Sequence, residues 1–256
     1  MRKSIPLTLF LGAVLCGCTK PGSRADELVY LRTVIPDSLL EYAHLDVGSV
    51  ENVAITGEGE SKHLGLHVFP GQSKVHGGIR AEISVGYPFQ GGETVRYSWR
   101  FMLPKDFIAD APKNRWWVIG QWHDQPNKKL GETWDKFPSH SPPVSLGLGE
   151  LEGKLAIVLS YGPTNAKLHQ RVVGPVFLER GKWHTITFVI RWSQASDGMA
   201  VVFLDDLARP ALRAEGPNMN NDFEHYLKLG MYRHPDIATN NWIYVDELEI
   251  SKTPAP

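Results

Sequence analysis

The chain has 256 residues, 42% of them hydrophobic, with 8 Trp, 8 Tyr and 10 Phe, which is enough apolar bulk for the core of one large domain. Its 27 Lys and Arg nearly cancel 28 Asp and Glu, leaving a formal net charge of -1. That balance excludes the basic excess expected of a nucleic-acid binder, and it means that any anion site has to be built locally rather than by the field of the whole protein.

Met1-Arg2-Lys3 is a short basic start, and residues 5–15 form an apolar stretch too short to span a bilayer comfortably. The stretch ends at Leu15-Cys16-Gly17-Cys18, with Leu three positions and Gly one position before Cys18. This pattern resembles a bacterial lipoprotein signal. The resemblance implies a signal over residues 1–18 whose Cys18 carries lipid, then a tether over 19–26. An ordinary secretory signal cut slightly later is the alternative. Each buried acyl methylene would contribute about 0.8 kcal/mol of membrane affinity. Both cysteines lie in this segment, so the folded part can hold no disulfide. The expected location is membrane-anchored, on the periplasmic or cell-surface side.

From residue 27 to 253 a single domain is expected, because no repeat or low-complexity linker divides the chain. One short helix is expected at 37–42, after Pro36. Otherwise runs rich in β-branched and aromatic residues alternate with Gly, Pro, Asn and Asp, the mark of strands. They fall at about 64–69, 79–86, 94–103, 116–123, 144–149, 154–162, 172–178, 183–192, 199–206, 226–234 and 242–250. Ser196-Asp197-Gly198 reads as a hairpin turn. So many strands without intervening helices predict an all-β jelly-roll sandwich of two antiparallel sheets. The longest segment outside the strands, residues 124–143, is the length at which a loop is usually functional or mobile.

Three strands carry polar residues on one face, since alternate side chains of a strand share a side. In Ile79-Arg80-Ala81-Glu82-Ile83-Ser84-Val85, Arg80, Glu82 and Ser84 oppose an apolar row. In Val118-Ile119-Gly120-Gln121-Trp122-His123, Gln121 and His123 point the same way. In the strand from Tyr226 to His234, Tyr226, Lys228, Gly230, Tyr232 and His234 share a face, and Gly230 leaves a gap that a ligand could approach. Taken singly, each pattern is most often a solvated or packing surface. Together they would line a groove with a cation, an amide, an imidazole and phenols.

The combination IRAEI, IGQWH and YLKLGMYRH resembles the jelly-roll polysaccharide lyases, especially the heparin-lyase-I-like and glucuronan-lyase group, and is related in motifs to the jelly-roll alginate lyases. The likeness runs over about residues 28–251. It implies a concanavalin- or lectin-like sandwich with a concave groove, in which Gln121, His123, Lys228 and Tyr232 match the family's catalytic positions and Arg80 its carboxylate-binding arginine. Glu82, Tyr226, Arg233, His234 and, from the long loop, Trp134 are further candidate substrate contacts. Ser84 stands where the alginate pattern has a second arginine, which points away from alginate and towards another uronan.

A lyase of this kind cleaves a 4-linked uronate by removing the C5 proton and expelling the C4 oxygen. The neighbouring carboxylate must be neutralised or hydrogen-bonded as enolate-like charge develops; Arg80, with its planar fork of donors, and Gln121 are suited to this. Tyr232 would serve as base, as acid to the leaving oxygen, or both, helped by a cation such as Lys228 on its face or Arg80 nearby. His123 is the alternative base. In glucuronate and mannuronate one tyrosine can perform both transfers, because the C5 hydrogen and C4 oxygen share a ring face; in their C5 epimers His123 and Tyr232 would divide them. Glucuronan or a related glycuronan is favoured.

Two rival readings remain open at this level. A glycoside hydrolase needs two carboxylates across the scissile bond, yet Glu82 is the only acid on the three polar faces. A non-catalytic carbohydrate-binding lipoprotein would suit the fold equally. His63, His67, His76, His140, His169, His184 and His225 show no zinc spacing, so no metal or cofactor is expected for catalysis, although the resemblance leaves room for a structural calcium. Trp116, Trp117 and Trp122 are read as packing residues. The expected partners are an anionic polysaccharide and, through the lipid, a membrane, with the protein a monomer. Replacing the proposed lipidation residue, Cys18→Ser, should move the protein from the membrane to the soluble fraction on cell fractionation; retention in the membrane would exclude the lipid anchor.

Overall fold

The computed structural model describes residues 29–33, 43–108, 115–164 and 170–253. The helix expected at 37–42, the signal with Cys18, the tether and His169 lie outside them. Fifteen strands follow in chain order: β1 (Val29–Thr33), β2 (Ala43–Val47), β3 (Val53–Thr56), β4 (His63–Val68), β5 (Ile79–Val85), β6 (Thr94–Met102), β7 (Trp117–His123), β8 (Val144–Leu151), β9 (Lys154–Tyr161), β10 (Arg171–Phe177), β11 (Trp183–Arg191), β12 (Met199–Leu204), β13 (Leu212–Glu215), β14 (Tyr226–Arg233) and β15 (Asn241–Thr253). The eleven expected strands are all present, with ends shifted by a few residues at most. The short strands β1, β2, β3 and β13 fall outside the expectation, because four or five residues are too few to show a period of two.

The strands pair into two antiparallel sheets. One has eight strands in the order β13-β12-β11-β6-β15-β4-β3, with β1 also on β15. The other has seven in the order β10-β9-β8-β7-β14-β5-β2. The apolar row Ile79, Ala81, Ile83 and Val85 of β5 faces the opposite sheet and is almost wholly buried. Leu227, Leu229 and Met231 of β14 do the same. Aromatic rings fill the middle: Trp122 of β7 lies 4.7 Å from Phe188 of β11 and 5.1 Å from Tyr97 of β6. Gly120 makes room for this cluster, since a Cβ there would stand 3.2 Å from the Trp99 ring. Trp117 and Trp122 are thus core residues, as expected. At the 192–198 turn, Asp197 accepts from Ser193 and Arg191.

The order of the seven-stranded sheet decides what its polar face can do. It sets β14 between β7 and β5, so the three motif strands are direct neighbours. In register, Lys228 stands opposite both Ser84 and Gln121, Tyr232 opposite Arg80, Gly230 opposite Glu82 and Tyr226 opposite His123. On the outer flank β2 adds His44 opposite Ser84 and Asp46 opposite Glu82.

The sequence pattern suggested Gly230 as a gap for ligand, but the structure gives it another task. The pairing of β14 with β7 slips between Leu229 and Tyr232, so two residues of β14 stand against one of β7, the count of a β-bulge. Gly230 takes a φ of 145° there, and a Cβ would come 2.3 Å from the Ala81 carbonyl oxygen and 2.8 Å from Leu66. Only glycine satisfies both the angle and the close approach. Gly230→Ala should therefore cost about 1–3 kcal/mol and lower the melting temperature by several degrees; an unchanged melting curve would show that the bulge relaxes freely.

Candidate functional site

The polar face of β2, β5, β14 and β7 forms the floor of a cleft of about 1040 Å³. Its lining includes Arg80, Gln121, His123, Tyr226, Lys228 and Tyr232, with Trp134 and His140 from the 124–143 segment. The long loop is thus one wall of the cleft. It is fastened at its base, where Gln125 donates to the Glu224 carbonyl and accepts at its own carbonyl from Asn221, each at 2.9 Å.

Glu82 sits beneath the middle of the floor with 0% exposure. Its two oxygens accept from Arg80 Nη1 at 3.1 Å and from Gln121 Nε2 at 2.5 Å. Gln121 and Glu82 belong to β7 and β5, on opposite sides of β14, and their side chains meet over its backbone. Burial pushes the Glu82 carboxyl up, while the Arg80 and Lys228 charges and the Gln121 hydrogen bond oppose the rise. Glu82 is consequently a support under the floor, not the substrate contact suggested by its place in the strand.

Tyr232 is fixed on several sides. The Arg80 guanidinium carbon lies 4.1 Å from its ring centroid, close enough for a cation–π contact. Trp116 meets the ring edge-on at 4.6 Å, and Gly78 is glycine by necessity, since a Cβ there would stand 2.4 Å from the ring. The cation beside Tyr232 is thus Arg80. Lys228, four residues away along β14 and so about 13 Å distant along the strand, is engaged elsewhere: its Nζ lies 2.8 Å from Asp46 Oδ2.

Asp46 is the functional-site residue that the motif strands did not disclose. It accepts from Ser84 Oγ at 2.6 Å and approaches His76 Nε2 at 3.5 Å. Burial works against its charge, yet the Lys228 and Ser84 hydrogen bonds outweigh burial and hold its carboxyl below the usual value. The Asp-Val ending of β2 was the available signal, but nothing in a five-residue strand says that it edges the motif sheet.

At the other end of the floor, the Tyr226 ring lies 6.1 Å from His123, 6.4 Å from Trp134 and 5.8 Å from Lys228 Nζ. Burial, with the Asp46 and Glu82 carboxylates adding to it, pushes the Tyr226 phenol well above its ordinary value, so this tyrosine stays neutral and can donate a hydrogen bond. Trp134 is 55% exposed and packs edge-on against Phe137 at 5.8 Å, which leaves most of its ring open towards the cleft. His123 Nδ1 lies 3.3 Å from Asp124 Oδ1, while Asp124 Oδ2 pairs with His140 Nδ1 at 2.5 Å. This leaves His123 Nε2 as the nitrogen available to a ligand. Burial raises the Asp124 carboxyl, but the hydrogen bonds of His123 and His140 overcome that and hold it at about 2. Behind them His225 is buried and pushed down to about 4 by that burial, although its Nδ1 bonds the Phe223 carbonyl at 2.8 Å.

Two proposed contacts are not in the cleft. Arg233 faces the other side of β14, with Leu227, Leu229 and Met231 as strand alternation dictates, is 1% exposed, and donates to Asn241 Oδ1 and the Thr239 carbonyl. His234 lies just beyond β14, 6.1 Å from Trp116, its Nδ1 accepting from the Asp236 amide, and it does not line the floor. Trp116 is half-buried against Tyr232 and forms part of the site's frame. Among the described residues no group of three or more His, Cys, Asp or Glu side chains is placed to hold a metal.

The polysaccharide lyase sequence profile matches residues 42–249, which span the cleft and both sheets. The chain belongs to the polysaccharide lyase family. This lyase is similar in structure to an endo-β-1,4-glucuronan lyase from the fungus Trichoderma reesei, at 16% identity over 88% of this chain and 92% of that one, with a TM-score of 0.56. It is also similar to an alginate lyase from Aplysia kurodai, at 15% identity over 82% and 90% of the chains and a TM-score of 0.56. A third, an alginate lyase of polysaccharide lyase family 7, shares 10% identity over 84% and 96% with a TM-score of 0.58. At these identities the likeness establishes the fold. No curated protein sequence matches the chain.

The Asp124 carboxylate has a pH signature. Its folded value of about 2 lies below the ordinary value of about 3.9. Its contribution to stability is thus complete above about pH 4 and is lost as pH falls towards 2. Urea midpoints measured across that range should fall in the parent lyase, while Asp124→Asn should begin less stable at neutral pH and show a flatter acid limb. Parallel pH curves would mean that the His123–Asp124–His140 contacts carry no net stability.

Proposed function

We propose that this lyase cleaves a 4-linked uronate-containing polysaccharide by β-elimination, with glucuronan or a related glycuronan as substrate, and acts as an exported lipoprotein held to a membrane through Cys18. The observation that carries the reaction type is the engagement of the acids at the cleft. Among the described residues, Asp46 is the only carboxylate lining it, and Asp46 is bound by Lys228 and Ser84. Glu82 is sealed below by Arg80 and Gln121. Among the described residues no pair of free carboxylates faces the space where hydrolysis would require an acid and a base. The titratable groups that line it besides Asp46 and the two cations are phenols and imidazoles, with the Gln121 amide bound to Glu82 at the floor.

In this reading the substrate carboxylate sits on Arg80 and Gln121, whose donors are strongest where enolate charge develops. Tyr232, held by Arg80 and Trp116, removes the C5 proton, and its conjugate acid returns a proton to the C4 oxygen. His123 offers Nε2 from the far end of the floor and assists where the two groups lie on opposite ring faces. Tyr226 remains a neutral donor and, with Trp134, a surface for a flanking sugar. Glucuronate is favoured because the floor keeps no surplus cation for sulfate: Arg80 is partnered by Glu82 and Lys228 by Asp46. The second alginate-type arginine is also absent, with Ser84 in its place.

The test is incubation of the purified protein with glucuronan, alginate, heparin-type and chondroitin-type chains, following the ultraviolet absorbance of the unsaturated product. Glucuronan should give the largest rate. Tyr232→Phe should lower kcat on the order of 100-fold or more with little change in melting temperature. Saturated products would overturn the elimination, and near-parent rates in the variant would remove Tyr232 from the chemistry.

A further inference from the structure

Glu82 occupies the same two donors that the elimination needs for its substrate. One of its oxygens accepts from Arg80 and the other from Gln121, the contacts that a bound carboxylate would make with them. The floor holds two cations and two carboxylates, paired as Arg80 with Glu82 at 3.1 Å and Lys228 with Asp46 at 2.8 Å. Its charge is therefore balanced before any ligand arrives.

A uronate seated on Arg80 and Gln121 brings a third negative charge close to Glu82, which has no contact with water. Of two carboxylates sharing one site, the one cut off from water is pushed towards its protonated form, because solvent relieves neither the repulsion on it nor its desolvation. Lys228 favours the Glu82 charge through space, but its pairing with Asp46 leaves no further cation to offer. Arg80 engages Glu82 through Nη1 and also lines the cleft, so an incoming carboxylate meets the guanidinium that Glu82 already holds. The charged and titratable groups facing Glu82 are Arg80 on its own strand, Lys228 and Tyr226 from β14 and Asp46 from β2, while β7 offers the neutral Gln121. Of these, Lys228 and Asp46 are fixed as a pair and Tyr226 is kept a neutral phenol. Glu82 is the group left to respond, and burial already favours its protonated form.

Resting on the uronan-lyase reading above, we propose that Glu82 is a positioning residue that acts as a displaceable counter-ion: it holds Arg80 and Gln121 in place in the empty cleft, and takes up one proton from solvent when a substrate carboxylate replaces it on them. The full charge of Arg80 then passes to the substrate at the point where the elimination requires it.

Titration calorimetry tests this in the Tyr232→Phe background, so that the probe, a glucuronan oligosaccharide, is not consumed. Binding heats measured in buffers of different ionisation enthalpy, over a pH series, report the protons taken up. Uptake should rise to about one per oligosaccharide as pH passes the titration of free Glu82, with the affinity falling about tenfold per pH unit there. Glu82→Gln in the same background should bind with that uptake removed and with a flatter pH dependence. His44, His76, His123 and His140 line the cleft in both proteins, so the difference isolates Glu82. Equal uptake in the two proteins at every pH overturns the proposal, as does loss of binding by a Glu82→Gln protein whose circular dichroism and melting are unchanged. Should that variant fail to fold, absence of uptake by the Glu82-containing protein at every pH above the histidine range overturns the proposal. Failure of the oligosaccharide to bind at all overturns the substrate reading and this inference together, whereas binding without uptake overturns this inference alone.

Discussion

The cleft depends on one buried carboxylate that ties three strands together. Glu82 reaches from β5 over the backbone of β14 to Gln121 on β7, and along its own strand to Arg80. A buried charge is tolerated only with partners that satisfy it, so Arg80 and Gln121 cannot drift without exposing Glu82 to that cost. Gly230, opposite Glu82 on the strand between, sits in a bulge whose close approach to the Ala81 carbonyl and Leu66 admits no side chain. Support and active face are thus one structure, built from the sheet outwards.

Around that support the cleft is divided by charge. At one end Arg80 covers the face of Tyr232, with Trp116 against the ring edge. At the Lys228 position the cation is cancelled by Asp46 from the neighbouring edge strand. Beyond it lie Tyr226 and His123, the latter held from behind by Asp124 and His140. On the proposed uronan-lyase reading, a chain of almost zero net charge meets its anionic polymer through one guanidinium set against a buried carboxylate rather than through a broad positive field.

Much of the architecture was legible from alternation alone. Ile79-Arg80-Ala81-Glu82-Ile83-Ser84-Val85 has only one way to bury its apolar row, and that choice turns Arg80, Glu82 and Ser84 to the other side. The same logic oriented Gln121 with His123 and Lys228 with Tyr232. It also marked Arg233 as a residue of the core face, and it was only proximity to the motif that made Arg233 look like a substrate contact. Asp46 was not legible, because β2 is short, sits at a sheet edge and shows Leu45 40% exposed, so its alternation carries little signal.

What the sequence determined by itself was which side chains share a face, since a strand's period of two is a local property, and that no disulfide holds the folded part, since both cysteines lie near the start. Tertiary structure alone decided who partners whom across strands. The order β7-β14-β5-β2 brought Gln121 to Glu82 and Asp46 to Lys228, turning two supposed substrate-facing groups into a buried support and a neutralised cation. Those pairings depend on sheet order and register between segments as much as 182 residues apart, from Asp46 to Lys228, and no local pattern encodes a separation of that length.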